Sequence, residues 1–425
     1  MTQSPPAADS GPPPRIHWPR ALSWALYDLA NTIYSAIVVS FAITLHVKEF
    51  TGVEKYTFIA MAASMVASGL FVPFAGELAD RTGHSKQYLM YFTVACCACC
   101  VAISGAPWWP LILLLYLMAN FCYNSSLAFY DSLLPVVAPP ERTGLISGLG
   151  VGLGYAGIAV ALPVALAALK LYRKTNPVHE LTPMFALAGV LFLLGSIPLF
   201  LLVPERRSTK RLPAGGRVTR LAWTRTLVTL RALPRHRNML MFLLGNFFCV
   251  DAVNATIIGY APYVENVFRL PRERIMLWMI PFGLCALCLG VLGGRLSDRF
   301  GSRRVMMSAC VCFMAASFIC GVARSTTLFF TAFLVFGGYG LSTVWVAGRK
   351  MLLGLAPPGQ VGKYFGLYNV GHKLSMIGMV LFGVLADMRI GESQGGGYRA
   401  GLLVQLVCMA VGLVLISKVE LKDAA

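Results

Sequence analysis

The sequence predicts an all-α membrane protein with twelve transmembrane helices, arranged as two related six-helix halves. Three observations carry this prediction. Hydrophobic residues make up 57% of the 425 residues and charged residues only 13%, against about 25% charged residues in soluble domains. Twelve apolar stretches are long enough to cross a bilayer, which takes roughly 20 residues of helix. Several motifs also recur at a fixed distance in the two halves of the chain.

The apolar stretches occupy nearly the whole chain and leave little room for a separate soluble domain. The predicted spans are 20–45, 57–79, 87–105, 109–135, 144–169, 183–203, 239–264, 275–294, 305–323, 328–355, 363–387 and 398–417. They form an N-terminal bundle over 20–203 and a C-terminal bundle over 239–418, joined by a basic linker, 204–238. Residues 1–19 lack the apolar run of a signal peptide, and we expect them and residues 419–425 to be cytoplasmic tails, the first of them disordered.

The distribution of positive charge predicts the orientation of the chain. The net charge is +18, and ten of the 36 Lys and Arg residues lie in the 204–238 linker. Positive residues concentrate on the cytoplasmic side of membrane proteins, so both termini and the linker are expected there, in a bacterial inner membrane. The linker is expected to contact anionic lipid headgroups. We expect a monomer and no nucleic-acid partner.

The sequence contains no pattern typical of an enzyme. It has no nucleophile with a paired base, no cluster of metal ligands and no phosphate-binding loop. All twelve cysteines fall within predicted helices, where they favour packing between helices over a metal site or a disulfide framework. The sequence therefore predicts neither enzymatic activity nor a cofactor or metal.

An internal repeat relates the two halves. Residues 76–86 read GELADRTGHSK and residues 294–304 read GRLSDRFGSRR, at an offset of 218. At the same offset the Ala-Pro-Pro at 138–140 recurs at 356–358. An Asp-x-x-Asn pattern recurs in the first helix of each half at an offset of 223, and a difference of five residues in length between the first two helices of each half reconciles the two offsets. Collinear matches of this kind indicate a duplicated six-helix unit, a common construction among transporters.

The residues of the repeat also carry a resemblance to a known family. The loop pattern G-x-L-A-D-R-x-G resembles the signature loop of the major facilitator superfamily. The stretch WALYDLAN at 24–31 resembles the opening helix of the autophagy-related vacuolar amino-acid effluxer family and its bacterial relatives, and residues 348–350, 363–368 and Lys373 are similar to that family too. The resemblance implies the major facilitator fold and a substrate that is an amino acid or a similar small carboxylate.

Ionisable residues within the spans are the first candidates for function. Each costs at least about 2.5–3.5 kcal/mol at membrane depth, so such residues are kept where they are paired or used. We expect proton-coupling groups among them, namely Asp28, Asp251, Asp131 and His372. The alternatives are a permanent ion pair for Asp28, packing for Asp251 and a structural role for His372.

A second set of residues is expected to bind the substrate. Asp131 and Arg349 are related by the 218 offset and could pair across the two halves, or Arg349 could hold a substrate carboxylate as a bidentate partner. Lys373 could bind the same anion or extend toward the cytoplasmic surface. The predicted substrate-binding residues are Arg349, Lys373, Tyr27, Asn31, Tyr34, Asn124, Trp345, Asn254 and Asn369.

The repeated loops are expected to act as gates. Asp80 and Arg81 in the first half, and Asp298 and Arg299 in the second, lie at the predicted cytoplasmic edge. There Asp80 can accept hydrogen bonds from a helix N-terminus and pair with a basic side chain of the opposite half. We expect these residues to latch the outward-facing state.

Together these features predict a secondary active transporter. The two halves would rock around a midplane site that holds a small polar, carboxylate-bearing solute, with protons as the coupling ion. Two alternatives remain at this point: a transporter of lysophospholipids or lipid-linked solutes, and a membrane sensor or scaffold on a transporter fold, without net transport.

Overall fold

Twelve long apolar helices make up the structure, which is a computed structural model. It describes residues 16–53, 55–173, 181–205, 217–375, 377–388 and 395–421. Within these residues twelve helices are long and apolar enough to span a membrane, and no strand occurs, which confirms the predicted fold class. The first helix begins at Trp18, while most of the predicted N-terminal tail lies outside the described residues.

The helices of the first half differ in length from the predicted apolar stretches. Their bounds are α1 Trp18–Thr51, α2 Lys55–Thr82, α3 Ser85–Ser104, α4 Trp109–Ser132, α5 Thr143–Arg173 and α6 Thr182–Leu202. Three of them, α1, α2 and α5, extend beyond both ends of the predicted apolar stretches, whereas α4 ends three residues earlier than predicted. The extensions are polar turns that continue the backbone hydrogen bonding outside the apolar core. Within α1, residues Ser35–Ala42 form a π-helical segment, a feature that often marks functional positions.

The helices of the second half include one that is interrupted. The bounds are α7 Arg237–Phe268, α8 Arg272–Phe300, α9 Ser302–Val322, α10 Thr326–Leu355, α11 Val361–Leu374 with Ile377–Asp387, and α12 Gly396–Ser417. The predicted span 363–387 corresponds to the candidate span Val361–Ala386, within which the backbone departs from helix at Ser375. The first segment of α11 ends at Leu374, and the second begins at Ile377.

The two halves meet mainly where α5 packs on α8 and α2 packs on α11. Glycines make these contacts possible. A Cβ atom on Gly76 would overlap with the carbonyl oxygen of Gly362, and one on Gly144 would overlap with that of Gly294. The helices therefore touch backbone against backbone, as small residues allow in membrane proteins.

A helix in the linker lies against this interface. It spans Arg217–Ala232, and we call it the linker helix and call the end of the bundle where it lies the linker end. Trp223 packs on Phe74 of α2 with ring centroids 6.1 Å apart. Lys363 of α11 donates to the Thr229 hydroxyl at 3.0 Å. The linker helix thus touches both halves, an arrangement that the Pro and Gly residues around it did not predict.

Candidate functional site

An ion-pair triad joins the two halves at the centre of the molecule. Arg349 of α10 lies 2.9 Å from Asp131 of α4, measured from Nε to Oδ1. Its Nη1 lies 3.6 Å from Oδ2 of Asp28 on α1. The side chains of Arg349, Asp131 and Asp28 are 9%, 5% and 12% exposed. Of the two alternatives for Asp131 and Arg349, the described geometry is that of the ion pair.

Two aromatic rings flank the guanidinium of the triad. The Cζ atom of Arg349 lies 5.7 Å from the ring centre of Trp24 and 5.5 Å from that of Tyr130. These rings stack on each other at 4.3 Å, and the Trp24 indole N–H donates to the Tyr130 carbonyl at 3.0 Å. Cation–π contacts of this kind stabilise a buried guanidinium. Trp24 precedes Asp28 by four residues and therefore lies on the same face of α1.

Asparagines occupy the remaining carboxylate oxygens of the triad. Asn31 donates to Asp28 Oδ1 at 3.0 Å, and Asn369 donates to Asp131 Oδ2 at 3.1 Å. Both were predicted to bind the substrate, and the structure places them as ligands of the carboxylates. With both carboxylates ionised, the triad carries one more negative than positive charge.

Lys373 is a second buried cation in the same layer. Its ammonium donates to the Asn124 backbone carbonyl at 3.0 Å, and the residue is 6% exposed. The Asn124 side chain donates in turn to the Asn120 carbonyl at 2.7 Å. Within the described residues no carboxylate forms an ion pair with Lys373. A buried ammonium without an opposite charge beside it is costly in an apolar interior.

His372 and Trp345 lie together beside Lys373. The two ring centroids are 4.7 Å apart, and Tyr368 packs on the other side of the imidazole at 4.0 Å. The Nε2 atom of His372 is 3.0 Å from the amide nitrogen of Asn246 on α7. Asn246 and Tyr368 were not predicted as site residues. Asn246 could have been found, because it lies five residues before the repeated Asp-x-x-Asn.

Tyr27 and Tyr34 do not reach the interface between the halves. The Tyr27 hydroxyl bonds to Thr93 of α3 at 2.9 Å and to Ser126 of α4 at 3.1 Å. Tyr34 packs against Tyr123. The described contacts of both tyrosines thus lie within the first half. Tyr27 precedes Asp28 by one residue, so it lies about 100° around a 3.6-residue helix from the Asp28 face. The role of these tyrosines in substrate binding stays a prediction.

Asp251 and Asn254, the counterparts of Asp28 and Asn31, lie apart from the triad. Asp251 Oδ2 accepts the backbone N–H of Gly378 at 2.7 Å. Asn254 donates to the Ser375 hydroxyl at 3.3 Å. Both contacts fall at the interruption of α11, so the structure places these residues at the break rather than beside Arg349.

The two repeated loops contact the opposite halves reciprocally. Asp80 accepts the N–H groups of residues 362 and 363, both at 2.9 Å, and Asp298 accepts those of residues 144 and 145, both at 2.8 Å. Each carboxylate thus caps the N-terminus of a helix from the other half, where the helix dipole favours negative charge. This is the arrangement expected for Asp80, and the repeat extends it to Asp298.

A buried glutamate adds an ion pair between the halves. Glu77 is 2% exposed and accepts from Arg81 Nε at 2.8 Å. Its second oxygen lies 3.5 Å from Lys363 Nζ of α11. Glu77 was not among the predicted gating residues, although it lies three positions before Asp80 in the repeated motif.

Other charged residues at the linker end pair within their own half or face outward. Lys350 donates to Asp298 at 2.6 Å. Arg299 is exposed, and its Cζ atom lies 5.2 Å from the ring centre of the neighbouring Phe300. Glu205 accepts the backbone N–H of Lys86 at 2.8 Å, and partial burial raises the pKa of its carboxyl above the ordinary value. The described residues contain no group of three or more His, Cys, Asp or Glu side chains arranged for a metal ion.

Solved structures with the same fold are transporters. The human organic anion transporter MFSD10 superposes with a TM-score of 0.71 at 15% identity, over 96% of this chain and all of that chain. FucP, a major facilitator transporter solved in the outward conformation, superposes with a TM-score of 0.69 at 14% identity, over 95% of this chain and 98% of that chain. At such low identity these similarities show the fold, which is the major facilitator fold.

Sequence comparison gives a narrower relationship. An uncharacterised transporter of the major facilitator type from Bacillus subtilis, YxiO, is 25% identical over 412 residues, which are 93% of each chain. The family model described as vacuole effluxer Atg22 like matches residues 45–425. That match covers both loops of the repeat and most of the central site. The chain is therefore a member of the Atg22-like vacuole effluxer family, within the major facilitator superfamily.

Proposed function

We propose that this protein is a proton-coupled secondary active transporter for a small carboxylate-bearing solute, such as an amino acid, in a bacterial inner membrane. The observation that carries the proposal is the Asp28–Arg349–Asp131 triad, which is buried, joins the two halves and holds one carboxylate in excess. Alternating access requires a contact between the halves that changes with the coupling ion, and the triad supplies one.

Asp28 is the group best suited to carry the proton. Its contact with Arg349 is 3.6 Å, longer than the 2.9 Å contact of Asp131, and its side chain is the more exposed of the two carboxylates. A proton on Asp28 neutralises the excess charge and leaves the tighter Asp131–Arg349 pair intact. Binding and release of the proton then change the attraction between α1 and α10 without removing every contact across the interface.

Lys373 is the cation best suited to hold a substrate carboxylate. Arg349, predicted from the sequence for this role, is engaged with two carboxylates of the protein. Lys373 contacts only uncharged groups among the described residues, and its neighbours Asn124, Trp345 and His372 offer polar and aromatic surface. A carboxylate placed there is near the triad, so solute and proton can act on the same interface.

The contacts at the linker end support an outward-facing conformation, given a cytoplasmic linker. Asp80 and Asp298 cap helices of the opposite halves on that side, and the glycine contacts hold α2 against α11 and α5 against α8. Opening toward the cytoplasm would break these contacts together. Arg81 supports the gate through Glu77, which bridges to Lys363.

Counterflow in proteoliposomes tests the proposal. Vesicles loaded with amino acids or organic acids should accumulate the matching labelled solute, and a pH gradient should increase uptake. Asp28→Asn should abolish the gradient effect and keep exchange. Lys373→Met should weaken binding of carboxylate solutes at least tenfold, whereas Lys418→Met, an exposed lysine at the end of α12, should not.

Three outcomes would reject the proposal. Gradient-driven uptake that persists in the Asp28→Asn variant would show that Asp28 does not carry the coupling proton. Undiminished binding of carboxylate solutes by the Lys373→Met variant would show that Lys373 does not bind the substrate carboxylate. Folded protein that exchanges no solute in the panel but moves labelled lysophospholipid between leaflets would favour lipid transport, and protein that does neither would favour a sensor or scaffold.

A further inference from the structure

The linker helix bridges the contact between α2 and α11, which belong to opposite halves. Its Thr226 hydroxyl donates to the carbonyl of Pro73 on α2 at 3.5 Å, and its Thr229 hydroxyl accepts from Lys363 of α11 at 3.0 Å. The two threonines are three residues apart, so they lie on one face of the helix. Thr226 is 4% exposed, and we call this face the inner face. The inner face is thus attached to one helix of each half.

Both attachment points belong to the contact that closes the linker end. A Cβ atom on Gly366 of α11 would lie 2.7 Å from the Cα atom of Pro73, so α2 and α11 touch there. Lys363 pairs with Glu77 of α2 at 3.5 Å, and its backbone N–H donates to Asp80 at 2.9 Å. Separation of α2 from α11 therefore requires the linker helix to leave either Pro73 or Lys363. Whatever holds the linker helix in place opposes this separation.

The opposite side of the linker helix is exposed, apolar and cationic. The helix contains four arginines and no acidic residue. Exposed residues recur along it at spacings of 3, 4, 3 and 1, the pattern of a single helical face. We call this face the outer face, and its residues are Arg220, Trp223, Leu227, Leu230 and Arg231.

The outer face suits the boundary between lipid headgroups and acyl chains. Trp223 packs on Phe74, which lies one turn from Leu70, and Leu70 is 69% exposed on a membrane-spanning helix. The helix thus lies beside a surface that faces lipid. Guanidinium groups bind phosphate bidentately, while tryptophan and leucine enter the apolar edge of the bilayer. A soluble polyanion would pair with the arginines but leave the apolar side chains in water, so the outer face fits an anionic bilayer better.

We infer that anionic phospholipid bound to the outer face keeps the inner face of the linker helix on α2 and α11, and thereby stabilises the closed linker end. Contact with the bilayer through one face fixes the rotation of an amphipathic helix about its axis, so the threonines stay directed at the bundle. A ligand that binds better to the closed state shifts the population toward that state. The lipid is then a regulator of the conformational change, whatever the solute and the coupling ion.

Hydrogen exchange of backbone amides tests this inference without a transport assay. The N–H groups of Gly362 and Lys363 donate to Asp80 across the contact, so their exchange, followed by mass spectrometry, reports the opening between α2 and α11. The full chain is compared in nanodiscs of phosphatidylcholine alone and of phosphatidylcholine with an equal amount of phosphatidylglycerol. The anionic discs should slow the exchange of both amides at least about fivefold, the lower end of typical couplings between sites. Glycerol phosphate in solution should not slow it, because it offers no apolar edge to the outer face.

Variants separate the binding of lipid from its effect on the contact. Arg220→Gln combined with Arg231→Gln should remove the lipid effect. Arg274→Gln combined with Arg324→Gln is the control, because it removes two exposed arginines at the opposite end of the bundle and should keep the effect. Thr229→Val deletes the acceptor of Lys363, so it should keep the binding of anionic lipid, measured by native mass spectrometry, and lose the slower exchange.

Thr224→Val is the matched control for Thr229→Val. Both threonine hydroxyls donate to the carbonyl four residues earlier at 2.9 Å, but Thr224 is exposed, so its variant should keep the full lipid effect. Equal exchange of the two amides in neutral and anionic discs would overturn the inference. A lipid effect that persists in the Arg220 and Arg231 double variant or in Thr229→Val, or one that glycerol phosphate reproduces, would overturn it too.

Discussion

Replacing Arg349 by methionine should destabilise the protein more than replacing either of its acidic partners. Arg349→Met leaves Asp28 and Asp131 buried without the guanidinium, while their asparagine partners remain. Removal of one member of a buried pair leaves an uncompensated charge and costs about 3–5 kcal/mol. Asp131→Asn instead leaves one guanidinium and one carboxylate, Arg349 and Asp28, at 3.6 Å. That cluster is neutral, so the loss should be about 1.5–3 kcal/mol, the contribution of a hydrogen bond to a charged group.

The double variant separates charge from packing. Arg349→Met with Asp131→Asn carries one buried carboxylate instead of two, so it should be more stable than Arg349→Met alone. For residues in direct contact, the coupling energy should fall within about 0.5–3 kcal/mol. Arg299→Met is the control, because Arg299 is exposed, and it should change the stability by less than about 0.5 kcal/mol.

The assay is reversible unfolding of the purified full chain in mixed micelles at neutral pH, followed by circular dichroism. Four free energies of unfolding complete the cycle: wild type, the two single variants and the double variant. The reasoning fails if Arg349→Met unfolds within about 1 kcal/mol of the wild type. It also fails if the two single losses simply add in the double variant, since additivity would mean that the charges do not interact.

Two further predictions concern the linker end. Gly76→Leu places a side chain where the carbonyl oxygen of Gly362 lies, and overpacking of this kind costs about 1–3 kcal/mol. The Tm of the variant should fall, and labelling reagents should gain access from the linker side. An unchanged Tm together with unchanged labelling would contradict the close contact. Replacing the exposed Arg220, Arg225 and Arg231 of the linker helix by glutamine should weaken binding to vesicles rich in anionic lipid by about 1 kcal/mol per charge. Equal binding of variant and wild type would show that the linker helix does not bind anionic lipid.

The sequence repeat accounts for the part of the site that could be predicted. It placed Asp131 and Arg349 at equivalent positions of the two halves, and related helices of a duplicated bundle face each other across the pseudo-symmetry axis. The same repeat predicted the contact of Asp80 with a helix N-terminus. These predictions needed only the offset between the halves and the helical period.

The remainder depended on tertiary contacts that no local pattern reveals. The departure of α11 from helix at Ser375 is not marked by a proline. Just after it, the N–H of Gly378 donates to Asp251, a residue distant in sequence. The period placed Tyr27 off the Asp28 face, but only the neighbouring helices show that its hydroxyl is satisfied by Thr93. Proximity along a helix face did not reveal that Trp24 stacks on Tyr130.

The glycine contacts between the halves have a consequence for the speed of the conformational change. Where Gly144 meets Gly294 and Gly76 meets Gly362, main chain lies on main chain, and few side chains interlock. Parting such surfaces requires little rotation about side-chain bonds. The activation enthalpy of opening should then come chiefly from the hydrogen bonds of Asp80 and Asp298. It should be nearly insensitive to conservative changes in the volume of the surrounding apolar residues.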